Sequence, residues 1–377
     1  MKCSVRGAAA MVIMTCALAA TMAVPAGPAG AGGLTAGPSA DRPAIASDSD
    51  ADPSGRIVFQ RFDPDMGKFR IYTIRPHGTG LRAITEPPAN ADQDDWPDWS
   101  PDGSRIVFRR DVDERSELIV VNADGSRPRN LTRSNCAGEC LGDDEPAWSP
   151  DGRRIAFGRA LGPIPPDGPP AVVGIFVMNA DGSKVRQLTQ LVPNSGTEDH
   201  TPSWSPDGGR IAFMRSNNTA QPVDASSIYT VDADGGDLTL VKRMPKKRPG
   251  SGVPEWSPDG RRILFDTYCL FGFCGQPLTG SQLFTIRPNG AGLRQLTHFP
   301  GNSYAGSWSP DGQRIVFSRN PQVAPLGDLY IMRRDGTEVR RLTHALRLDN
   351  HNADWGPAHP DDDEDDDDHD HPCARND

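Results

Sequence analysis

The sequence predicts an all-β protein made of six four-stranded antiparallel sheets packed around one axis. Three observations predict it. A tryptophan-led motif recurs five times and is followed by a degenerate sixth copy. A second strand-and-turn motif alternates with it six times. Beyond the first 31 residues, no segment holds a helical period.

The first motif is Trp-Ser-Pro-Asp-Gly, one or two residues, then Arg-Ile-apolar-Phe. It starts at Trp99, Trp148, Trp204, Trp256 and Trp308, at spacings of 49, 56, 52 and 52 residues. Asp354-Trp355-Gly356-Pro357 is the degenerate copy, 47 residues further on. The second motif covers 71–78, 118–125, 175–182, 228–235, 283–290 and 329–336. Each copy ends on glycine and is followed by Leu-x-x-Leu/Ile-Thr or a variant, as at 81–85 and 185–189. The pieces are 4–7 residues long and rich in Ile, Val, Phe, Tyr and Thr, which is strand composition. Ser-Pro-Asp-Gly and Asn-Ala-Asp-Gly put proline where φ near −65° is wanted and glycine where φ is positive.

One repeat is therefore four strands: a short first strand at the tryptophan, a second at Arg-Ile-x-Phe, a third ending at the Asp-Gly turn, and a fourth at Leu-Thr. A lone sheet of this size leaves its apolar faces wet. Radial stacking buries them, and closing the circle removes exposed edges. The N-terminal copy has strands at 56–61, 69–75 and 80–85 with no tryptophan strand before them, and the last tryptophan strand, 353–356, has none after it. Together these fragments make one sheet. The expectation is a six-bladed β-propeller closed by the C-terminal strand joining the N-terminal blade, over residues 55–357.

The two ends read differently. The chain has 377 residues, a net charge of −10 and a mean hydropathy of −0.53. Lys2 and Arg6, an apolar run over 8–20, and small residues around Ala26 and Ala31 read as an export signal over 1–31. The run is too short for a membrane span, and Ile13-Met14-Thr15 before Cys16 lacks the small-residue pattern of a lipidation site. Residues 32–54 read as a disordered linker. Residues 358–377 hold ten acids against Arg375, so this solvated acidic tail carries about −9 of the total charge. A secreted, monomeric chain is expected. Export permits disulfides, and Cys136 with Cys140, and Cys269 with Cys274, are spaced to staple their own loops. Neither spacing suits a zinc knuckle, and Cys373 is left over.

Trp-Ser-Pro-Asp-Gly-x-Arg-Ile-x-Phe, as at 148–157, with Asn-Ala-Asp-Gly-Ser, as at 122–126, resembles the TolB-like or PD40 (WD40-like) β-propeller repeat. The resemblance covers roughly 55–357. It implies the propeller fold and, by analogy with the periplasmic TolB propeller, docking of protein partners. The family also includes the propeller halves of some serine peptidases. The repeat is similar, too, to that of oligogalacturonate lyases, whose propeller holds a metal. The α/β domain that precedes the propeller in TolB proteins is not expected here.

In a four-strand order the tight turns share one face, and the long loops near 133–146, 161–172, 190–202, 216–226, 266–281 and 320–327 share the other. Binding residues concentrate on such loops. Residues four or five before each tryptophan are expected at the channel mouth on that face: Asp94 and Asp95, Asp143 and Asp144, Asp199 and His200, Tyr304, and Asn350 and His351, with only Gly252 in the fifth copy. Two after the Phe of each second strand stand Arg61, Arg110, Arg159, Arg215 and Arg319, with Thr267 breaking the set. One reading pairs these arginines with aspartates of neighbouring blades. The other makes Asp95, Asp144, His200, Tyr304, His351, Arg110, Arg159, Arg215 and Arg319 a site for a cation or a small anion. In that site His200, His351, Asp95 and Asp144 offer the ligand types for a divalent metal. No other cofactor is expected.

Asp232-Ala233-Asp234-Gly235 starts like a calcium loop but lacks its distal Glu and recurs as a turn. The basic stretch Lys242, Arg243, Lys246, Lys247 and Arg248 has no interleaved aromatics, so nucleic acid is not an expected partner. There is no Gly-x-Ser-x-Gly, His-Glu-x-x-His or phosphate loop. A non-catalytic binding scaffold for an extracellular or envelope protein or peptide is expected. The alternative is a metal-assisted polysaccharide lyase or hydrolase at the channel mouth.

Overall fold

A computed structural model describes residues 54–357, except 114, 133–139, 163–171, 191–196, 218–223, 244–249, 269–279, 322–325 and 345–347. The expected signal, nearly all of the linker, the acidic tail, Cys136, Cys269, Cys274 and Cys373 lie outside the described residues. So do parts of the expected long loops and Lys246 to Arg248.

Every regular element among the described residues is a β-strand, and no helix there is long and apolar enough to cross a membrane. The first group is β1 (Ile57–Asp63), β2 (Lys68–Ile74) and β3 (Arg82–Ala83). The second is β4 (Ala91–Trp99), β5 (Arg105–Val112), β6 (Arg115–Asn122) and β7 (Arg129–Asn130). The third is β8 (Cys140–Trp148), β9 (Arg154–Leu161), β10 (Val172–Asn179) and β11 (Arg186–Gln187). The fourth is β12 (Thr197–Trp204), β13 (Arg210–Asn217), β14 (Asp224–Asp232) and β15 (Thr239–Arg243). The fifth is β16 (Gly250–Trp256), β17 (Ile263–Tyr268), β18 (Leu283–Ile286) and β19 (Arg294–Gln295). The sixth is β20 (Asn302–Trp308), β21 (Arg314–Asn320), β22 (Asp328–Arg333) and β23 (Arg340–Arg341). The last strand, β24 (Asn350–Trp355), pairs antiparallel with β1, setting Trp355 opposite Ile57. Within each group the strands pair antiparallel in sequence order, and one parallel bridge, Ser116 to Gly142, joins the second group to the third.

The physical reason for the repeat is that no group owns its core. Phe59, Phe108, Phe157, Phe213, Phe265 and Phe317, one per second strand, are fully buried. Among the described residues the core falls into six clusters, each drawn from two consecutive groups. Trp148 packs with Val107, Leu118 and Val120 of the group before it, and Trp308 with Leu264 and Leu283. Trp355 packs with Val316, Leu329 and Leu342 of the sixth group and Ile57 and Phe59 of the first.

Two turn contacts follow the same group-to-group pattern. Each turn after a third strand sits on the fourth-strand region of the preceding group. A Cβ on Gly125 would collide with the Ile84 carbonyl oxygen, one on Gly182 would come within 2.6 Å of that of Leu131, and one on Gly78 within 3.2 Å of that of Leu342. Arginines clasp the same turns: Arg82 donates to the Asp124 carbonyl at 3.2 Å, Arg294 to that of Asp335 at 2.8 Å and Arg340 to that of Pro76 at 2.6 Å. Each Ser-Pro-Asp-Gly glycine lies against the proline of the preceding turn, and Gly103 lies against Pro357.

Two sequence expectations need correction. The first strand is not short: it runs six to nine residues, because the polar run before each tryptophan continues the strand instead of forming a loop. The fourth strand is only two residues in five groups. The Leu-Thr pair follows it, and the threonine hydroxyl takes over the next ladder bond, as Thr85 accepts from the Ile71 N–H at 3.1 Å and Thr132 from that of Leu118 at 3.0 Å.

Removing residues 350–377 takes away β24 and exposes the core beneath Trp355. Urea denaturation is expected to show a loss of at least about 3–5 kcal/mol, the range for deleting one buried tryptophan. A truncated chain that melts like the full one refutes the pairing. Gly125→Ala forces a side chain into φ +85° against the Ile84 carbonyl and is expected to cost about 2–4 kcal/mol. The same change at Gly67 (φ +67°), which faces open space, is expected to cost about 1–2 kcal/mol, the backbone strain alone.

Candidate functional site

The six tryptophan strands share a local irregularity that builds the site. Three residues before each tryptophan the backbone φ is positive at a non-glycine residue: Trp96 (49°), Glu145 (51°), Thr201 (51°), Val253 (20°), Ala305 (46°) and Asn352 (51°). The ladder to the second strand breaks register at these points. Proline occupies the next position in four strands, as Pro97, Pro146, Pro202 and Pro254. A residue with no N–H cannot extend the ladder, and a bulge results. The bulge turns the residues just before the tryptophans inward, where all six strands line one cavity of about 220 Å³.

In five of the six strands the residue immediately before the tryptophan ties one group to the next. Asp98 Oδ2 accepts the Trp148 N–H at 2.7 Å, Ser203 Oγ that of Trp256 at 3.1 Å and Glu255 Oε1 that of Trp308 at 3.2 Å. Ser307 Oγ accepts from Trp355 at 3.2 Å, and Asp354 Oδ2 from Trp99 at 2.9 Å. Ala147, in the same position of the third group, has no such oxygen. Burial raises the pKa of Asp98 well above the usual carboxylate range, and Asp354 and Glu255 raise it further. Burial likewise lifts Asp354. Glu255 is pushed up to about 8 by burial, with Asp354 adding to it.

The predicted acids, histidines and Tyr304 lie one or two positions before the bulge on the same strands, the predicted arginines lie on the second strands, and none of them lines that cavity. The five-before aspartates are buried and pair with the predicted arginines. Arg110 holds Asp94 at 2.6 and 2.7 Å, Arg159 holds Asp143 at 2.6 and 2.9 Å, and Arg215 holds Asp199 at 2.6 and 2.7 Å. These bidentate pairs were expected between neighbouring blades. They form within one group, because the two residues face each other across the first and second strands. Arg319 has Ser303 opposite it and lies instead over Phe299 and Tyr330, at 4.8 and 5.3 Å.

The pair that does cross between groups uses an arginine the sequence reading passed over. Arg109 donates to Asp144 of the next group at 2.9 Å and to both Asp111 oxygens at 2.8 and 2.7 Å, and it lies 3.6 Å from Asp95. Asp95 and Asp144 are thus brought together through Arg109. Burial pushes Asp144 up to about 6, against the pull of Arg109, and pushes Asp95 well above the usual range. His200 lies between Glu145 at 3.6 Å and Glu198 at 3.3 Å. Burial opposes its charge, but the two carboxylates outweigh it and lift it to about 10. His351 packs edge-on against Phe69 at 5.1 Å, sits 6.5 Å from the Tyr304 ring and lies 3.4 Å from Asp349. Among the described residues His200 makes no hydrogen bond or ion pair with Asp95, Asp144 or His351, and no group of three His, Cys, Asp or Glu is placed to hold a metal ion. Where the fifth copy offers only Gly252, Asp266 fills the space: a Cβ on Gly252 would lie 3.1 Å from its carboxylate. Burial lifts Asp266 to about 7.

Two measurements follow from these electrostatics. Arg159→Ala strands the buried Asp143 carboxylate and is expected to cost about 3–5 kcal/mol in urea denaturation. Arg319→Ala breaks no ion pair and is expected to cost less than half as much. A carboxyl whose folded pKa exceeds its unfolded value keeps its proton on folding between the two, so folding takes up protons and stability falls as pH rises. Glu255 acts between 4.5 and about 8, Asp266 between 3.8 and about 7. His200, raised from 6.5 to about 10, stabilises fully below 6.5 and loses that contribution toward 10, in the same direction. The melting temperature is expected to fall steadily from pH 5 to 9, and less steeply in Glu255→Gln. A profile that rises toward pH 9 contradicts the assignment.

No protein-family model matches the chain. Over 175 residues, 46% of its length, the chain is 37% identical to the Tol-Pal system protein TolB of Anaeromyxobacter dehalogenans, a match that spans 36% of that relative. The chain therefore spans about a third of the length of the curated relatives it matches. Among solved structures it is similar to TolB from Acinetobacter baumannii, with a TM-score of 0.59 and 19% identity over 81% of this chain and 68% of that one. It is also similar to an oligogalacturonate lyase in complex with manganese, with a TM-score of 0.52 and 15% identity over 77% of this chain and 74% of that one. The chain is thus similar over part of its length to curated TolB proteins, and its fold is similar to that of a solved TolB.

Proposed function

We propose that the chain is an exported six-bladed propeller, closed by β24 against β1, that docks an extracytoplasmic protein or peptide through its long-loop face and performs no catalysis. The six shared core clusters, the turn contacts that run cyclically from the last group to the first, and the one cavity lined by all six inner strands support closure. The observation that carries the functional reading is the 37% identity over 175 residues to a protein named for the Tol-Pal system. A rigid ring with long loops on one face suits docking. The expected loop disulfides, Cys136 with Cys140 and Cys269 with Cys274, stiffen that face in this reading.

Affinity capture from envelope and culture-supernatant fractions, with the mature chain as bait, tests the proposal. A saturable protein partner is expected. It should be lost when the 161–172 and 266–281 loops are shortened, with no tightly held metal by elemental analysis and no cleavage of uronide polymers. A bound metal, with uronide turnover abolished in His200→Ala, would establish the lyase reading instead.

A further inference from the structure

The channel cavity holds more negative charge than its structural bonds use. Asp98 and Glu255 each spend one oxygen on the neighbouring tryptophan N–H, while Asp98 Oδ1 and Glu255 Oε2 have no protein partner among the described residues. Asp354, whose two oxygens accept from the Trp99 N–H and the Ser307 hydroxyl, completes a triad and raises the pKa of both Asp98 and Glu255. Glu145, the fourth acid on the wall, is already matched with His200. Among the described residues no lysine or arginine lines the cavity. A separate observation points to an occupant: Thr201, 6% exposed and on the same wall, has a buried hydroxyl with no hydrogen-bond partner. Trp96 and Asn352 complete the lining on this side, offering an aromatic face and an amide.

We propose that this cavity binds an organic cation of the guanidinium or alkylammonium class, its N–H groups shared among Asp98, Glu255, Asp354 and the Thr201 hydroxyl. The carboxylates are not placed to converge on a metal ion, but a planar cation with several donors bridges acceptors set further apart. A cavity of about 220 Å³ accepts such a head group and a short stem, and Trp96 supplies a face suited to cation–π contact. The cation relieves the mutual repulsion of the three acids, so binding expels a proton held by the triad. This holds whether or not the long-loop face docks a protein.

The test is calorimetric titration of the full chain with methylguanidinium, and with uncharged methylurea as its isostere. The expected result is saturable binding of methylguanidinium alone, strengthening about tenfold or more from pH 6 to pH 9 as the triad ionises, with proton release. Glu255→Gln and Asp98→Asn should each weaken it at least about tenfold while the melting temperature is held or raised. Competition by an arginine-bearing peptide would assign the cation to a partner side chain; its absence would assign a free amine. Equal responses to methylguanidinium and methylurea, binding unchanged in folded Glu255→Gln, or calcium binding in place of methylguanidinium would overturn the proposal.

Discussion

The constraint on which the rest of this structure depends is that no four-strand group has a core of its own. Each sheet is thin, apolar on both faces, and buried only by its neighbours. Hydrophobic burial is proportional to area removed from water, so the stabilising surface is almost wholly the surface between groups. That is why the repeat spends its most restricted residues on those surfaces. The turn glycines leave no room for a Cβ against the preceding fourth strand, and the turn prolines stack on the next glycine. Arginines of the fourth strand reach across to carbonyls they could not otherwise meet. The pairing of β24 with β1 is the same requirement met at the seam: without it, the first group would lack its inner strand.

Stacking also explains the chemistry of the centre. Six tryptophan strands lining one cavity crowd whatever precedes each tryptophan. The bulges turn those residues inward, and the tryptophan N–H groups there need acceptors. Serine meets the need neutrally at Ser203 and Ser307. Aspartate and glutamate meet it at Asp98, Glu255 and Asp354, with one oxygen to spare at Asp98 and Glu255, at the cost of like charges in a desolvated space. The raised pKa values are the consequence of that crowding, and the spare oxygens are what give the cavity a chemical preference.

Further out, the charged residues divide by strand position. Those directly across from each other in one group, Arg110 with Asp94 and Arg159 with Asp143, are consumed as buried bidentate pairs. Those one residue displaced point to the other side of the pleat and meet the neighbouring group, as Arg109 meets Asp144. A single register step decides whether an arginine braces its own sheet or joins two.

Much of the fold was legible in the amino-acid order. The strands, their turn chemistry, the buried Phe of each second strand and the role of the tryptophans follow from local periodicity and turn geometry, which act over a few residues. The candidate site was legible only in part. Asp95 and Asp144 were singled out, but the Arg109 that joins them was not, because its partner is 35 residues away in another sheet. Asp98, Glu255 and Asp354 were missed although the signal was present, as a polar residue before the tryptophan, often after a proline that cannot extend a strand. What sequence alone determined is the repeating unit, since hydrogen-bond ladders and turns are local. What only the tertiary structure decided is which side chains share a space, because the bulge that aims them inward and the neighbour that desolvates them exist only once the sheets are stacked.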